Sequence, residues 1–150
     1  MPEATLRENE TRDRFAYFLV IPTRWMDNDI YGHVNNVVYY AYFDTLITRY
    51  LIDRADFDIH TGVVAPFTVE NMCRFHRSLA FPEIIDGGLR VAHLGRSSIR
   101  YEIGLFTQGR DDAAAAGYFV DVFVDRDTNK SVPIPENVRT ALDELVLERS

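Results

Sequence analysis

The run VVYYAYFDTLITRYLI, residues 37–52, decides the fold class of this chain. Its first two turns are apolar on almost all sides, and the apolar residues then narrow to one stripe, formed by Phe43, Leu46, Ile47, Tyr50 and Leu51. This spacing, together with the length of the run, favours an α-helix over a buried strand. Asn35 or Asn36 is a suitable N-cap. The sequence therefore predicts a long helix that other structure must wrap.

Strand-like stretches precede and follow this helix. They are bounded by turn residues and cover residues 15–21, 63–76, 88–94, 97–107 and 114–125. Gly87-Gly88 and residues 94–96 and 108–111 are predicted as turns, and such short connections favour an antiparallel meander. A short amphipathic helix closes the chain, with a stripe of Val138, Ala141, Leu142, Leu145 and Val146. The pattern predicts an α+β domain in which a five-stranded antiparallel sheet curls around the long helix.

Composition limits the possible partners. The 150 residues carry a formal net charge of -7, which disfavours nucleic acid and anionic membranes as main partners. No stretch approaches the ~18 apolar residues of a membrane helix. The single cysteine, Cys73, indicates a reducing, cytoplasmic location. Residues 1–13 are predicted as a flexible leader, and residues 14–150 as one domain whose uncovered sheet edge favours self-association.

Potential chemistry concentrates in residues 24–36, RWMDNDIYGHVNN, just before the long helix. One interpretation is a metal site of Asp27, Asp29 and His33, but no second histidine lies nearby and no standard metal spacing is met. A second is a carboxylate and an imidazole that share proton transfer, as an enoyl-thioester hydratase requires. A third is one carboxylate with the helix N-terminus as oxyanion hole, which suits thioester hydrolysis because a thiolate leaves readily.

The segment RWMDNDIYGHVNNVVYYAYFDT, residues 24–45, resembles the signature of hotdog-fold acyl-CoA thioesterases of the 4-hydroxybenzoyl-CoA thioesterase type. The stretches GLRVAHLGRSSIRYEIGLF, residues 88–106, and KSVPIPENVRTAL, residues 130–142, are similar to later parts of that family. The resemblance implies a hotdog fold and an enzyme that hydrolyses an acyl thioester to a carboxylic acid and free coenzyme A.

The resemblance also implies roles for individual residues. Asp29 matches the family's catalytic carboxylate, which acts as nucleophile or general base, and the backbone N–H of Asn36 matches the group that faces the thioester oxygen. Gly32 would allow a tight approach to the helix, and His33 and Asn35 would orient the loop or the substrate. Asp27 would have a structural role and is the second candidate for catalysis.

For the substrate, the resemblance places Asp44 at the acyl pocket of a neighbouring subunit. The aromatic residues of the helix either shape an acyl tunnel or pack in the core, namely Tyr39, Tyr40, Tyr42 and Phe43. Arg96, Ser97 and Ser98 would face the nucleotide part of coenzyme A, with weaker support from other basic residues, namely Arg74, His76, Arg77 and Arg100. The expected ligand is an acyl-CoA substrate, with no metal or redox cofactor, in a homodimer or homotetramer. The rivals are a hotdog hydratase or dehydratase and a non-catalytic acyl-thioester binding module. The acyl group and the choice between coenzyme A and an acyl carrier protein stay open.

Overall fold

The computed structural model describes residues 6–147. Its elements, in chain order, are β1 Tyr17–Pro22, α1 Asn36–Ala55, β2 Val64–Phe75, β3 Ile84–Leu94, β4 Ser98–Thr107, β5 Ala115–Asp125 and α2 Glu136–Asp143. Single turns of 3-10 helix lie at Arg12–Arg14 and Trp25–Asp27. The predicted α+β hotdog architecture, with five strands, a long helix and a short C-terminal helix, is confirmed.

All strand pairings are antiparallel, and the strand order across the sheet is β1-β3-β4-β5-β2. The predicted meander is therefore correct only for β3, β4 and β5. The long helix α1 separates β1 from β2 along the chain, so β1 pairs with β3 and β2 pairs with β5 at the opposite edge. Both edges of the sheet are thus made by the strands that flank α1.

The prediction of a turn at Gly87-Gly88 was wrong, because both glycines lie inside β3. A Cβ on Gly87 would lie 3.1 Å from the Leu46 side chain, and a Cβ on Gly88 would lie 2.9 Å from the ring of Phe15. The glycines therefore make room for packing on both faces of the sheet. The chain reverses earlier instead, in residues 76–83.

Helix α1 packs one face on the sheet. Asn35 is its N-cap, and the Asn35 side chain accepts the N–H of Val37 at 3.1 Å. The predicted stripe of α1 is buried together with three further residues, Tyr39, Tyr42 and Ala55. The other face carries Val37, Tyr40 and Asp44 and is open or half-covered within one protomer. Helix α1 thus spans the sheet with its N-terminus next to the loop that follows β1.

Part of the predicted flexible leader, residues 6–13, contacts the sheet in the structure, and residues 1–5 lie outside the described residues. Glu10 is buried against the outer face of the sheet, where both of its carboxylate oxygens accept hydrogen bonds from the Arg90 guanidinium at 2.9 Å. Arg90 also donates to Glu102, which in turn accepts from Arg100. A buried arginine needs such partners because an unpaired buried charge is costly. Residues 6–13 therefore supply a charge partner for Arg90 on the outer face of the sheet.

The C-terminal helix is shorter than its predicted apolar stripe. Val138, Ala141, Leu142 and Leu145 are buried as expected, whereas Val146 lies beyond α2 and is exposed, in a bridge with Val91. None of the helices within residues 6–147 is long and apolar enough to cross a membrane.

Candidate functional site

The loop between β1 and α1 is fixed from within by Asp27. One Asp27 carboxylate oxygen accepts the backbone N–H of Arg24 at 2.8 Å and the hydroxyl of Tyr42 at 2.7 Å, and the other accepts from the Arg24 guanidinium. The backbone oxygen of Asp27 accepts the N–H of Asn35 at 2.9 Å. These bonds tie the start of the loop to its end and to the helix.

Asp27 makes the loop contacts that a structural role requires. Its side chain is 1% exposed. Burial raises the pKa of the Asp27 carboxyl, but the hydrogen bonds from Tyr42 and Arg24 outweigh burial and hold that pKa below its ordinary value. Tyr42 shows the reverse effect, because burial and the nearby Asp27 carboxylate raise the pKa of its hydroxyl. With both oxygens occupied, Asp27 has no free lone pair facing a substrate.

Asp29 lies two residues further on and is half-buried. Its N–H donates to the backbone oxygen of His33 at 2.8 Å, and its backbone oxygen accepts the N–H of Gly32 at 3.1 Å. One carboxylate oxygen, Oδ1, accepts the N–H of Tyr31 at 2.9 Å, and the other has no partner within residues 6–147. The carboxylate is therefore held in place with one oxygen still available.

Gly32 makes the turn after Asp29 possible, but not by the predicted close approach. A Cβ at this position would meet no atom within 4 Å. Gly32 instead has a φ of +81°, in the left-handed region that glycine adopts without strain. The requirement is thus for a backbone conformation rather than for space.

A cavity of about 430 Å³ opens in front of Asp29. It is lined by the loop, the first turn of α1 and the segment after β2, with Asp29, Tyr31, His33, Val34, Asn36, Tyr39, Phe75, His76, Arg77 and Ser78 as its walls. The structure therefore brings together three of the predicted catalytic residues, Asp29, His33 and Asn36.

The N-terminus of α1 has a backbone donor, unpaired among the described residues, at a residue that lines this cavity. Asn35 accepts the N–H of Val37 with its side chain and that of Val38 with its backbone oxygen. The N–H of Asn36 donates to no acceptor in the part of the chain that the structure describes, and Asn36 lines the cavity. The positive end of the helix dipole adds to this donor's attraction for a developing oxyanion. Asn35 itself is absent from the cavity walls and acts as the cap.

The far wall of the cavity comes from the chain that follows β2. The Tyr39 hydroxyl accepts the N–H of Leu79 at 3.2 Å, and the Tyr39 ring packs edge-on against Phe75 with centroids 4.8 Å apart. The N–H of Val34 donates to the Leu79 oxygen at 2.7 Å. These contacts place His76, Arg77 and Ser78 beside the loop of Asp29.

Sequence reasoning gave His76 and Arg77 only a minor role in binding coenzyme A and missed Ser78, Tyr31 and Phe75 as cavity residues. The available signal was the polar run HRS, residues 76–78, between two apolar stretches. Nothing local in that run indicates that it lies against the helix N-terminus, since the contact depends on where β2 ends in the sheet.

The predicted substrate-binding turn at Arg96, Ser97 and Ser98 is not close to Asp29 within one protomer. It connects β3 to β4, whereas the loop of Asp29 lies beyond Ile84 at the other end of β3. Eleven residues of β3 separate the two ends, about 33 Å of extended strand. Arg100 is excluded as a surface cation, because it is buried and donates to Glu102.

Tyr40 and Asp44 lie on the open face of α1, away from the cavity of Asp29. Tyr40 packs against Phe43 and Phe119 with ring centroids 6.2 and 6.4 Å apart. Asp44 is exposed to solvent, yet enough protein atoms surround it to raise the pKa of its carboxyl above the ordinary value. Within one protomer these two residues are separate from the catalytic candidates.

Asp44 influences a second carboxyl group beneath the helix. Burial, and to a smaller degree the charge of Asp44, raise the pKa of Asp121 to about 6, although a hydrogen bond from Thr68 opposes the shift. Among residues 6–147, no three or more histidine, cysteine, aspartate or glutamate side chains cluster in a way that could hold a metal ion.

Comparison with known proteins agrees with this architecture. A model of the thioesterase-like superfamily matches residues 23–142. The crystal structure of the PA5185 protein from Pseudomonas aeruginosa has 49% sequence identity and a TM-score of 0.91, covering 92% of this chain and 96% of that chain. The PA2801 protein of the same organism has 27% identity and a TM-score of 0.77, covering 85% and 98%.

A more distant structure, named BH1999 gentisyl-coenzyme A thioesterase, has 23% identity and a TM-score of 0.75, covering 84% of this chain and 99% of that chain. At this identity the likeness concerns the fold alone. No curated protein sequence matches the chain. The family match spans the loop of Asp29, the long helix and all strands after it. This chain therefore belongs to the thioesterase-like superfamily.

Proposed function

We propose that the protein is an acyl-CoA thioesterase in which Asp29 is the catalytic carboxylate. The single observation that supports this most is that Asp29 and Asn36, whose N–H is unpaired in the described chain, line the same cavity at the start of α1. A base or nucleophile and an oxyanion donor are the two groups that thioester hydrolysis needs. Family membership supports thioesterase chemistry in general, and the acyl-CoA substrate is our extension of it.

Hydrolysis at this site can follow two routes that use the same carboxylate. Asp29 can take a proton from water while the water oxygen bonds to the thioester carbon, or its own oxygen can attack and form an anhydride that water then opens. In both, the C–S bond breaks and coenzyme A leaves as thiolate, which then takes a proton. The Asn36 N–H would stabilise the oxyanion that forms on the carbonyl oxygen.

Neighbouring residues have supporting roles in this proposal. Gly32 sets the turn that aims Asp29, and the Asn35 cap leaves the Asn36 N–H free. His33, His76 and Arg77 share the cavity and supply polar or cationic groups for the arm of coenzyme A. No metal or redox cofactor enters the mechanism, and we place the protein in the cytoplasm on the basis of its single cysteine.

We also propose a homodimer or a homotetramer. Strand β2 has 12 residues, forms one edge of the sheet and exposes Phe67 and Val69. A long edge strand with exposed apolar side chains favours pairing with another strand, and a second copy offers a matching edge; Pro66 and the bulge at Val69 limit the length that can pair. In such an assembly the open face of α1 would lie near the partner subunit. A site shared between subunits could then include residues that lie away from the cavity of Asp29 within one protomer, namely Tyr40, Asp44, Arg96, Ser97 and Ser98.

A second candidate function, hydration or dehydration of an enoyl thioester, is favoured by one observation. His33 lines the same cavity as Asp29, so an imidazole and a carboxylate are available for two proton transfers. A binding module without catalysis is the third alternative.

The test is a thiol-release assay with acetyl-, octanoyl-, phenylacetyl- and crotonyl-CoA, combined with direct measurement of crotonyl-CoA hydration. Our proposal predicts release of free thiol without hydration. Hydration that depends equally on His33 and Asp29 would support the hydratase instead. Saturable binding of acyl-CoA with no reaction would support the binding module.

A further inference from the structure

A second depression also has Asp29 in its wall. It has a volume of about 700 Å³, and its walls are Trp25, Met26, Asn28, Asp29, Ile30 and Gly32. Trp25 and Met26 are each 75% exposed, and Ile30 is 93% exposed. Three large apolar side chains within six residues of sequence are thus presented to solvent next to the proposed catalytic carboxylate. We call this depression the tryptophan pocket.

The tryptophan pocket is built on a rigid base. Trp25 begins the 3-10 turn that ends at the buried Asp27. The Trp25 ring packs edge-on against Phe81 with centroids 5.9 Å apart, and the Asn28 side chain accepts the N–H of Phe81 at 3.0 Å. The Trp25 ring is therefore held by the segment before β3, while Met26 and Ile30 project from the loop into solvent. An apolar depression next to a few polar groups is typical of a small-molecule pocket.

Asp29 is the wall that the two depressions share. The cavity combines the polar side chains of His33, His76 and Arg77 with apolar walls, whereas three of the six residues around the tryptophan pocket are large and apolar. An acyl-CoA has the same division, because its thioester carbon joins a polar, anionic coenzyme A arm to the acyl group. The tryptophan pocket is thus the more apolar of the two depressions, as the acyl group is the more apolar half of such a substrate.

We infer that the acyl group occupies the tryptophan pocket, so that the protein selects acyl-CoA substrates with an apolar acyl group of several carbons over acetyl-CoA. This inference rests on the proposed function. The volume lies in the range of pockets that hold ligands much larger than an acetyl group. Trp25 is the largest side chain among the residues that line the pocket, and in this inference it contacts the acyl chain.

Trp25 also supplies a direct test, because it is the only tryptophan in the chain. The Asp29→Asn variant is titrated with octanoyl-CoA, acetyl-CoA and free coenzyme A while tryptophan emission is recorded. An octanoyl chain in the pocket shields the indole from water, so a saturable shift of the emission to shorter wavelength is expected with octanoyl-CoA alone. Equal responses to all three ligands, or no response to any, would overturn the inference.

Steady-state kinetics of proteins that keep Asp29 give the second test of the inference. Trp25→Ala is compared with the wild type and with Val63→Ala, which removes another exposed apolar side chain at the far end of β2. We expect Trp25→Ala to lower the ratio of kcat/KM for octanoyl-CoA over acetyl-CoA by at least about tenfold, and Val63→Ala to leave that ratio unchanged.

The outcomes separate this inference from the proposed function. If the wild type releases no thiol from any acyl-CoA but the emission shift occurs, the proposed enzyme activity fails and the acyl pocket stands. If hydrolysis occurs and Trp25→Ala leaves the substrate ratio unchanged, the acyl pocket fails. If Trp25→Ala instead lowers the subunit number measured by light scattering, and all substrates lose activity equally, then a second copy covers these residues and the inference is overturned.

Discussion

Replacement of Asp27 by asparagine should weaken the fold while leaving the chemistry of folded molecules in place. Asp27 accepts the Arg24 N–H at 2.8 Å and the Tyr42 hydroxyl at 2.7 Å, and its contact with the Arg24 guanidinium adds less because that side chain is 66% exposed. Asparagine keeps one acceptor oxygen but points an NH₂ group at the remaining donor. The loss of one buried hydrogen bond to a charged group costs about 2–3 kcal/mol.

The assay for this prediction is urea unfolding together with a thermal melt. A loss of 2–3 kcal/mol corresponds to a fall in Tm of roughly 5–10 °C for a chain of this size. The pKa of Asp27 in the folded protein lies below its ordinary value of 3.8. The carboxylate therefore stabilises the fold fully above pH 3.8, and this stabilisation is lost as the pH falls further, through the lower pKa of the folded protein. The acid-induced loss of stability should therefore be shallower in Asp27→Asn than in the wild type.

Asp29→Asn is the matched control, since asparagine can still accept the exposed N–H of Tyr31. It should leave the unfolding free energy nearly unchanged. Unchanged stability in Asp27→Asn would refute the reasoning about the loop. If Asp27→Asn keeps its stability but loses activity, the catalytic role moves from Asp29 to Asp27.

Three further predictions concern the fold and the assembly. Asp121→Asn should raise the unfolding free energy at pH 7 by about 2 kcal/mol in urea titrations, because the carboxyl is 4% exposed and burial, which raises its pKa to about 6, disfavours the charged form. The stability of the wild type should therefore fall as the pH rises from 4 to 7, and an equal fall in the variant would contradict this. Val69→Lys at the exposed edge of β2 should lower the mass found by light scattering, and an unchanged mass would exclude this edge as the interface. Gly88→Ala should lower the unfolding free energy by about 1–3 kcal/mol, since the new Cβ would lie 2.9 Å from Phe15; a wild-type melt would show that Phe15 moves aside freely.

Much of the fold follows from local patterns in the sequence. The helix stripe at Phe43, Leu46 and Ile47 is visible because its spacing depends only on helix geometry, and all of these residues are buried. The cap at Asn35 and the structural role of Asp27 were also predictable, because both depend on neighbours in the chain.

The errors concern contacts between residues far apart in sequence. Glu10 and Arg90 are 80 positions apart, and no periodicity indicates that a polar leader holds a buried arginine. Gly87 and Gly88 have the composition of a turn, but packing by Leu46 and Phe15 on the two faces of β3 places them inside a strand. The pairing of β2 with β5 likewise depends on the whole topology.

The candidate site divides in the same way. Asp29, Gly32, His33 and Asn36 come from one continuous segment and could be proposed from it. The wall at His76, Arg77 and Ser78 and the tryptophan pocket depend on how the end of β2 and Phe81 pack against that segment. Arg96 was placed at the substrate by resemblance, and within one protomer it lies at the other end of the sheet.

The single-turnover rate of thiol release from octanoyl-CoA by Asp29→Asn tests the central claim most directly. Asp58→Asn is the matched control, because Asp58 accepts the N–H of His60 two residues on, as Asp29 does with Tyr31, but lies in the loop after α1. We predict a rate about 10²–10⁴-fold below the wild type for Asp29→Asn, with normal unfolding, and a wild-type rate for Asp58→Asn. A wild-type rate in folded Asp29→Asn would contradict the assignment of the catalytic carboxylate.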